Sequence, residues 1–184
     1  MNHEIRIFGD PVLRAKAEPV RVFDDELRAL GREMIEIMRR SEGVGLAAQQ
    51  IGETRAICVI EVPEEYDVDE QGQRLNPGLT MPMILVNPVI SKPSKKEVGR
   101  DEGCLSFPGI RGSISRPVAI HVAFQNEKGE AFELDVRDFV ARVIQHEVDH
   151  LNGVLFIDRM SAARRFTLAA KLKRLKQDGP PVEE

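Results

Sequence analysis

QHEVDHLNG, residues 145–153, holds His146 and His150 four positions apart with Glu147 beside the first. On an α-helix, residues i and i+4 stand one turn apart on the same face, so both imidazoles can point at a single ion. The flanking spacing supports a helix here. Phe139, Val143, Ile144 and Leu151 recur at helical intervals, and Gly153 suits a left-handed C-terminal cap. This helix decides the fold, because the runs before it are of another kind. VAIHVAF (118–124) alternates, with Val118, Ile120, Val122 and Phe124 on one face, which turns His121 to the other face as a solvent-facing strand residue rather than a ligand. NEKG (126–129) is a hairpin turn into the strand AFELDV.

Further upstream, RAICVIEV (55–62) is a β-branched run that reads as a buried strand with Cys58 as a small core residue, and MILVNPVI (83–90) is a strand interrupted near Pro88. Between them, PEEYDVDEQGQRLNPGLT (63–80) is acidic, polar and turn-rich, which predicts an exposed loop. Asp10 before Pro11 predicts a short helix over 11–16, and Asp24–Arg40 repeats Leu27, Leu30, Met34, Ile37 and Met38 at helical steps. A last helix is expected from Ser161 to Gln177, with Phe166, Ala169 and Leu172 inward, followed by a frayed tail over 178–184. Strands flank a few helices without regular βαβ alternation, so the fold class is α+β.

A length of 184 residues fits a single domain, 1–184, and suffices for a core without disulfide staples. With 42% hydrophobic and 30% charged residues the chain belongs to neither the disordered nor the fibrous classes. Charges interleave with the apolar residues of MNHEIRIFGDPVLRAKA, and no segment approaches membrane-spanning length, so a cytoplasmic address with no membrane partner is expected. Cys58 and Cys104 could form one disulfide at most, a poor framework for a secreted domain. The net charge of −4 argues against general nucleic-acid binding, DNA included, but leaves room for a local basic patch.

His-Glu-x-x-His suits hydrolysis because two imidazoles can hold a divalent ion while the glutamate takes and returns a proton. The motif lacks a third ligand. Cys104, in the turn DEGCLSFPG (101–109), could supply it, and a thiolate beside two histidines would leave one coordination position open for water. GVGLAAQQIG (43–52) lacks the Gly-Lys-Ser/Thr ending of a phosphate loop. It reads either as a helix break with a close-packed turn or as a segment whose glycines let a ligand's backbone approach while Gln49 or Gln50 supplies an amide donor.

Three stretches, GVGLAAQQ (43–50), EGCLS (102–106) and QHEVDHLNG (145–153), resemble in order and separation the three signature motifs of the peptide deformylases. The likeness covers most of residues 5 to about 160. It implies removal of the N-formyl group from the starting methionine of new polypeptides, with release of formate. The implied fold is α+β, with a metal-bearing HExxH helix packed against antiparallel and mixed β-sheets and a C-terminal helix. By motif position, the resemblance implies Cys104, His146 and His150 as metal ligands and Glu147 as the acid/base residue. It places Gln50 and the backbone N–H of Leu105 toward the substrate oxygen, and substrate backbone along Val44 and Gly45. Glu102 is implied as the partner of an arginine, for which Arg116 is the candidate. The implied ion is Fe²⁺, with Zn²⁺ or Ni²⁺ able to occupy the same site. Outside the resemblance lie the acidic 63–80 segment and Arg100, which stands near the pocket rim where the family often has apolar residues.

Two other readings use the same residues. One is a zinc-dependent peptidase of the HExxH type with its third ligand elsewhere. The other is a non-enzymatic module whose structural metal is closed by four protein ligands. The last helix carries Arg164, Arg165, Lys171, Lys173, Arg174 and Lys176 with no acid between Ser161 and Gln177, which fits either a solvated face or a contact with ribosomal RNA.

Overall fold

The run ICVI forms a strand buried at every position, because it has a neighbour on each edge and a helix on each face. In the computed structural model, which describes residues 3–178, this is β2 (Ile57–Ile60) of a five-stranded sheet. Its companions are β1 (Gly45–Ala47), β3 (Met83–Ser91), β6 (Ala119–Gln125) and β7 (Ala131–Arg137), in the order β1-β2-β3-β6-β7. The remaining strands, β4 (Glu97–Gly103) and β5 (Arg111–Pro117), pair only with each other.

Strand alternation divides the interior in two. Ile57 and Val59 face a cluster built on α1 (Asp25–Arg40), whereas Cys58 and Ile60 face one built on α2 (Asp138–Leu151). The start of α1 is set by Asp24, whose Oδ1 accepts from the Leu27 amide at 2.9 Å, and Leu27, Leu30, Met34, Ile37 and Met38 are buried as the periodicity predicts. A β-carbon at Gly31 would lie 2.8 Å from Ile84 Cδ1, so glycine lets this helix settle close against β3.

The second helix, α2, follows β7 without a linker and is buried continuously from Val140 to Leu151. A helix covered all round keeps even its polar residues from water, and they must find partners inside the protein. A third cluster joins Leu13, Phe107 and Phe156 to α3 (Ala162–Asp178). The expected helix at the N-terminus appears as a 3₁₀ turn, Pro11–Arg14, capped by Asp10. No helix among the described residues is long and apolar enough to cross a membrane.

Several expectations need correction. All ladders in both sheets are antiparallel, so the sheets are not mixed. In α3 the inward residues are Leu168, Leu172 and Leu175, while Phe166 is 83% exposed and Ala169 is also exposed. Phe166 and Leu172 are six positions apart, about 240° round a helix of 3.6 residues per turn, and cannot share one buried stripe. The 63–80 segment is not simply an exposed loop: it forms a 3₁₀ turn at Glu64–Tyr66, and Asp67 and Asn76 are buried. The tail expected to fray, 178–184, lies almost wholly outside the described residues.

Burial in β2 pushes the Cys58 thiol well above its usual range, with the Glu147 charge adding to the effect. A Cys104→Ser protein should therefore show no iodoacetamide-reactive thiol in native buffer, and Cys58 should label only under denaturant. Rapid native labelling would place this strand outside the core.

Candidate metal centre

The cysteine turn is where the β4–β5 hairpin meets α2. Among the described residues, Cys104, His146 and His150 form a group whose ligand atoms all lie within 4.8 Å of one another, and Cys104 Sγ is 3.3 Å from His150 Nε2. Metal–ligand bonds of roughly 2.0–2.3 Å in tetrahedral geometry place donor atoms about 3.3–3.6 Å apart, so the donor set fits a single divalent ion. Among the described residues there is one such group, with three protein ligands. The expectation of a site defined by an HExxH helix is thereby corrected. The site is a Cys104/His146/His150 triad, for which the helix supplies two donors and the hairpin turn the third.

A buried carboxylate sets the orientation of the first histidine. Glu102 Oε2 lies 3.0 Å from His146 Nδ1, which leaves Nε2 for the metal. Arg116 grips the same carboxylate bidentately, Nε to Oε1 at 2.7 Å and Nη2 to Oε2 at 2.9 Å, and Arg142 Nη1 donates to Oε1 at 2.6 Å. Burial raises the Glu102 carboxyl, but hydrogen bonds from His146 and Arg116 outweigh it and hold the group down at about 2. Arg116 Nη1 reaches on to Asp149 Oδ2 at 2.8 Å, and Asp149 in turn accepts from Arg159 Nε at 3.0 Å. The pairing of Glu102 with Arg116 was expected; the parts of Arg142, Asp149 and Arg159 were not. Asp149 lies within HEVDH (146–150), and a carboxylate beside His150 was the available signal for a cationic partner.

At His146, burial opposes the charged form, but hydrogen bonds to Cys104 and Glu102 and the charges of Cys104 and Glu147 lift it to about 10. His150 is driven the other way, well below its usual value, by burial and by the charges of His146 and Arg116. Metal binding acts against the first proton and with the second, since imidazole ligates in its neutral form.

Glu147 lines the same cavity as Cys104 and His146, and its Oε2 has no hydrogen-bond partner. Burial raises its carboxyl to about 7 against the lowering effect of His146 and Arg116. Gln50 approaches from the first motif: its Oε1 accepts from the Ala47 amide at 2.8 Å, which turns its Nε2 to Cys104 Sγ and Ser106 Oγ, each at 3.4 Å. Gln49 Nε2 is directed elsewhere, to the Ala15 carbonyl at 3.3 Å. Val44, Gly45 and Leu105 line the cavity, whose volume is about 680 Å³. Arg100 is absent from its lining and pairs with Asp138 at 3.4 Å. His121 stays outside the triad, with Nδ1 2.9 Å from Asp135 Oδ1.

Three protein ligands beside an unbonded carboxylate, at the floor of an open cavity, define a metal-dependent hydrolase. Residues 2–166 match the sequence model of the family described as polypeptide deformylase. The chain is 44% identical over 179 residues to the peptide deformylase of Opitutus terrae, covering 95% of this chain and 93% of that one. It superposes on the peptide deformylase of Plasmodium falciparum with a TM-score of 0.83 at 35% identity, covering 95% and 96% of the two chains. For the Thermotoga maritima peptide deformylase structure the TM-score is 0.76 at 42% identity, with 88% and 99% covered. The chain belongs to the polypeptide deformylase family and is a metal-dependent hydrolase that removes the N-formyl group from N-formylmethionine. The proximity of Cys104 to both histidines overturns the peptidase reading with its third ligand elsewhere, and the three-membered donor group gives no support to a closed four-ligand module.

Glycine at position 45 leaves room for the Glu147 carboxylate: a β-carbon there would lie 2.3 Å from Glu147 Oε1 and 2.8 Å from its Cδ. Gly45→Ala should displace that carboxylate while leaving the triad intact. Metal content should match wild type and kcat/KM should fall roughly a hundredfold, the scale expected for a misplaced catalytic group. Full activity in this variant would show that Glu147 does not need its present position.

Proposed function

We propose that Glu147 is the acid/base residue of deformylation, that Gln50 Nε2 and the Leu105 N–H stabilise the substrate oxygen, and that Val44 and Gly45 hold the substrate backbone. The observation that carries this reading is the unbonded Glu147 carboxylate oxygen in the cavity floored by Cys104 and His146. Cys104, His146 and His150 would hold the ion, for which Fe²⁺ is the physiological candidate on family grounds; Zn²⁺ and Ni²⁺ suit the same donors, and affinity order alone does not favour iron. When bound, the ion supplies Lewis acidity, bringing the pKa of water toward neutrality and polarising the formyl carbonyl.

Glu147 takes the proton of the attacking water and returns it to the departing amine. The Gln50 amide, already oriented by Ala47, and the Leu105 N–H in the turn beyond Cys104 meet the oxygen as it gains charge, each contributing on the order of 3 kcal/mol. Glu102, Arg116 and Arg142 act through His146 by fixing its ring. Substrate pairing with β1 is supported by the position of that strand at the sheet edge. The Val44 carbonyl accepts from the Glu61 amide at 2.9 Å, so in an antiparallel ladder the peptide groups of the next residue, Gly45, turn to the free side. Such pairing reads backbone and tolerates many nascent chains. The apolar wall of Phe139 and Val143 offers a slot for the methionine side chain.

Residues 1–184 are read as one cytoplasmic catalytic domain, with the cations of α3 contacting ribosomal RNA. That contact is supported by six Lys and Arg residues with no acid among them and by an exposed Phe166 that the core does not use. Replacing these cations by glutamine should weaken ribosome binding in a salt-dependent manner; unchanged affinity would eliminate an electrostatic contact.

The reading is tested by formate release from formyl-Met-Ala-Ser by anaerobically purified protein, with metal analysis on the same sample. Wild type should release formate. Glu147→Gln should keep its metal and lose roughly two orders of magnitude in turnover or more. Wild-type turnover in that variant would assign proton transfer to another group.

A further inference from the structure

The 63–80 segment between β2 and β3 is held in place by polar bonds within and beyond itself. Buried Asp67 accepts from Arg74 Nε at 3.1 Å and from Asn76 Nδ2 at 2.5 Å. Asn76 also grips both backbone polar groups of Arg137, accepting from its amide at 3.0 Å and donating to its carbonyl at 3.1 Å, while Arg137 Nε donates to the Leu75 carbonyl at 3.1 Å. Arg137 is the residue at which β7 becomes α2. The segment is therefore fastened to the start of the helix that carries His146 and His150.

This attachment carries Tyr66 to the cavity. Its ring sits on Phe139, with centroids 5.8 Å apart and planes tilted by 56°, and both residues line the cavity. Phe139, Val143 and His146 follow at four- and three-residue steps along one face of α2, and all three line the cavity too. The apolar slot thus runs along the helix from the metal ligands at one end to the Tyr66–Phe139 pair two turns away. Tyr66 remains 58% exposed, so the core does not account for its position.

We propose that Tyr66 is a specificity-determining residue: its ring, seated on Phe139, closes the end of the slot away from the metal ligands and limits the length of the side chain at the formylated residue. The inference rests on the reading that this slot takes the methionine side chain. A thioether near an aromatic edge gains a favourable contact that a longer alkyl chain, forced against the same rings, does not. Asn76 is the positioning residue that keeps Tyr66 there.

The test compares kcat/KM for formyl-Met-Ala-Ser with that for the same peptide bearing 2-aminooctanoate, whose unbranched side chain is longer, in place of methionine. Tyr66→Ala should shift the ratio roughly tenfold toward the longer substrate, the scale of one or two methylenes in an apolar pocket. Tyr66→Phe should keep the wild-type ratio, and Asn76→Ala should move it in the same direction as Tyr66→Ala. A ratio within one protein sample is insensitive to its active fraction, so partial unfolding of the Asn76 variant would not imitate the effect. A wild-type ratio in Tyr66→Ala, or equal loss on both substrates, would overturn the proposal while leaving deformylation intact. A Tyr66→Phe protein behaving like Tyr66→Ala would assign the effect to the hydroxyl and overturn it as well. Wild-type protein that releases formate from neither peptide would instead refute the functional reading, and the inference with it.

Discussion

The carboxylate of Glu102 is the group on which the metal centre depends. It sits where three elements meet, on a strand of the hairpin, and receives Arg116 from the paired strand and both Arg142 and His146 from the buried helix. A carboxylate in this position would be costly to bury alone, and two arginines would be costlier still. Together they compensate one another, and the geometry that compensates them also aims the His146 ring. The cysteine turn follows Glu102 by two residues, so a constraint on the carboxylate is also a constraint on the thiol. Replacing the carboxylate would leave Arg142 as unpaired charge in the interior, a loss of about 3–5 kcal/mol in comparable buried pairs. Asp149 extends the arrangement to Arg159, beyond the end of the same helix, and shares Arg116 with Glu102.

The sheet makes such precision possible. Strand β2 sends alternate side chains to α1 and α2, so the two helices are packed against opposite faces of one rigid layer. A helix with apolar contacts on several sides has little freedom to rotate, and nearly four turns of rigid backbone then hold the histidines one turn apart. Gln50 is fixed in a different manner, by the amide of Ala47 just before it. The site therefore joins three separately anchored pieces: a turn beside an edge strand, a turn ending a hairpin strand, and a buried helix.

Much of the scaffold was legible in local pattern. The periodicity of α1, the β-branched run of β2 and the alternation of β6 each have one physical origin, an apolar face meeting the core, and each appears where its pattern placed it. The β4–β5 hairpin was not legible. Its inward positions in β5 are Gly112, Ile114 and Arg116, a regular alternation in burial that a hydrophobicity pattern cannot reveal because one member is a glycine and another a charge. The same limit hid Arg142, an arginine on a helix that reads as a solvent-facing residue until its partner on another element is known. In α3 the expected inward face held for Leu172 but not for Phe166 or Ala169, because several apolar residues compete for it. Only the position of Leu13, Phe107 and Phe156 selects Leu168, Leu172 and Leu175 and leaves Phe166 outside.

By itself the sequence determined the chemistry: two histidines one helical turn apart with a glutamate between them, a cysteine in a tight turn, a glutamine in a glycine-flanked segment, and the fold class that could carry them. Those are properties of residue type and short-range spacing. Tertiary structure decided which charges neutralise which, that a buried oxygen of Glu147 has no hydrogen-bond partner, and how an acidic segment brings Tyr66 to the cavity. These depend on groups far apart in the chain becoming neighbours in a medium of low dielectric, where each one's energy is set by its partners, and no local pattern records who the partners are.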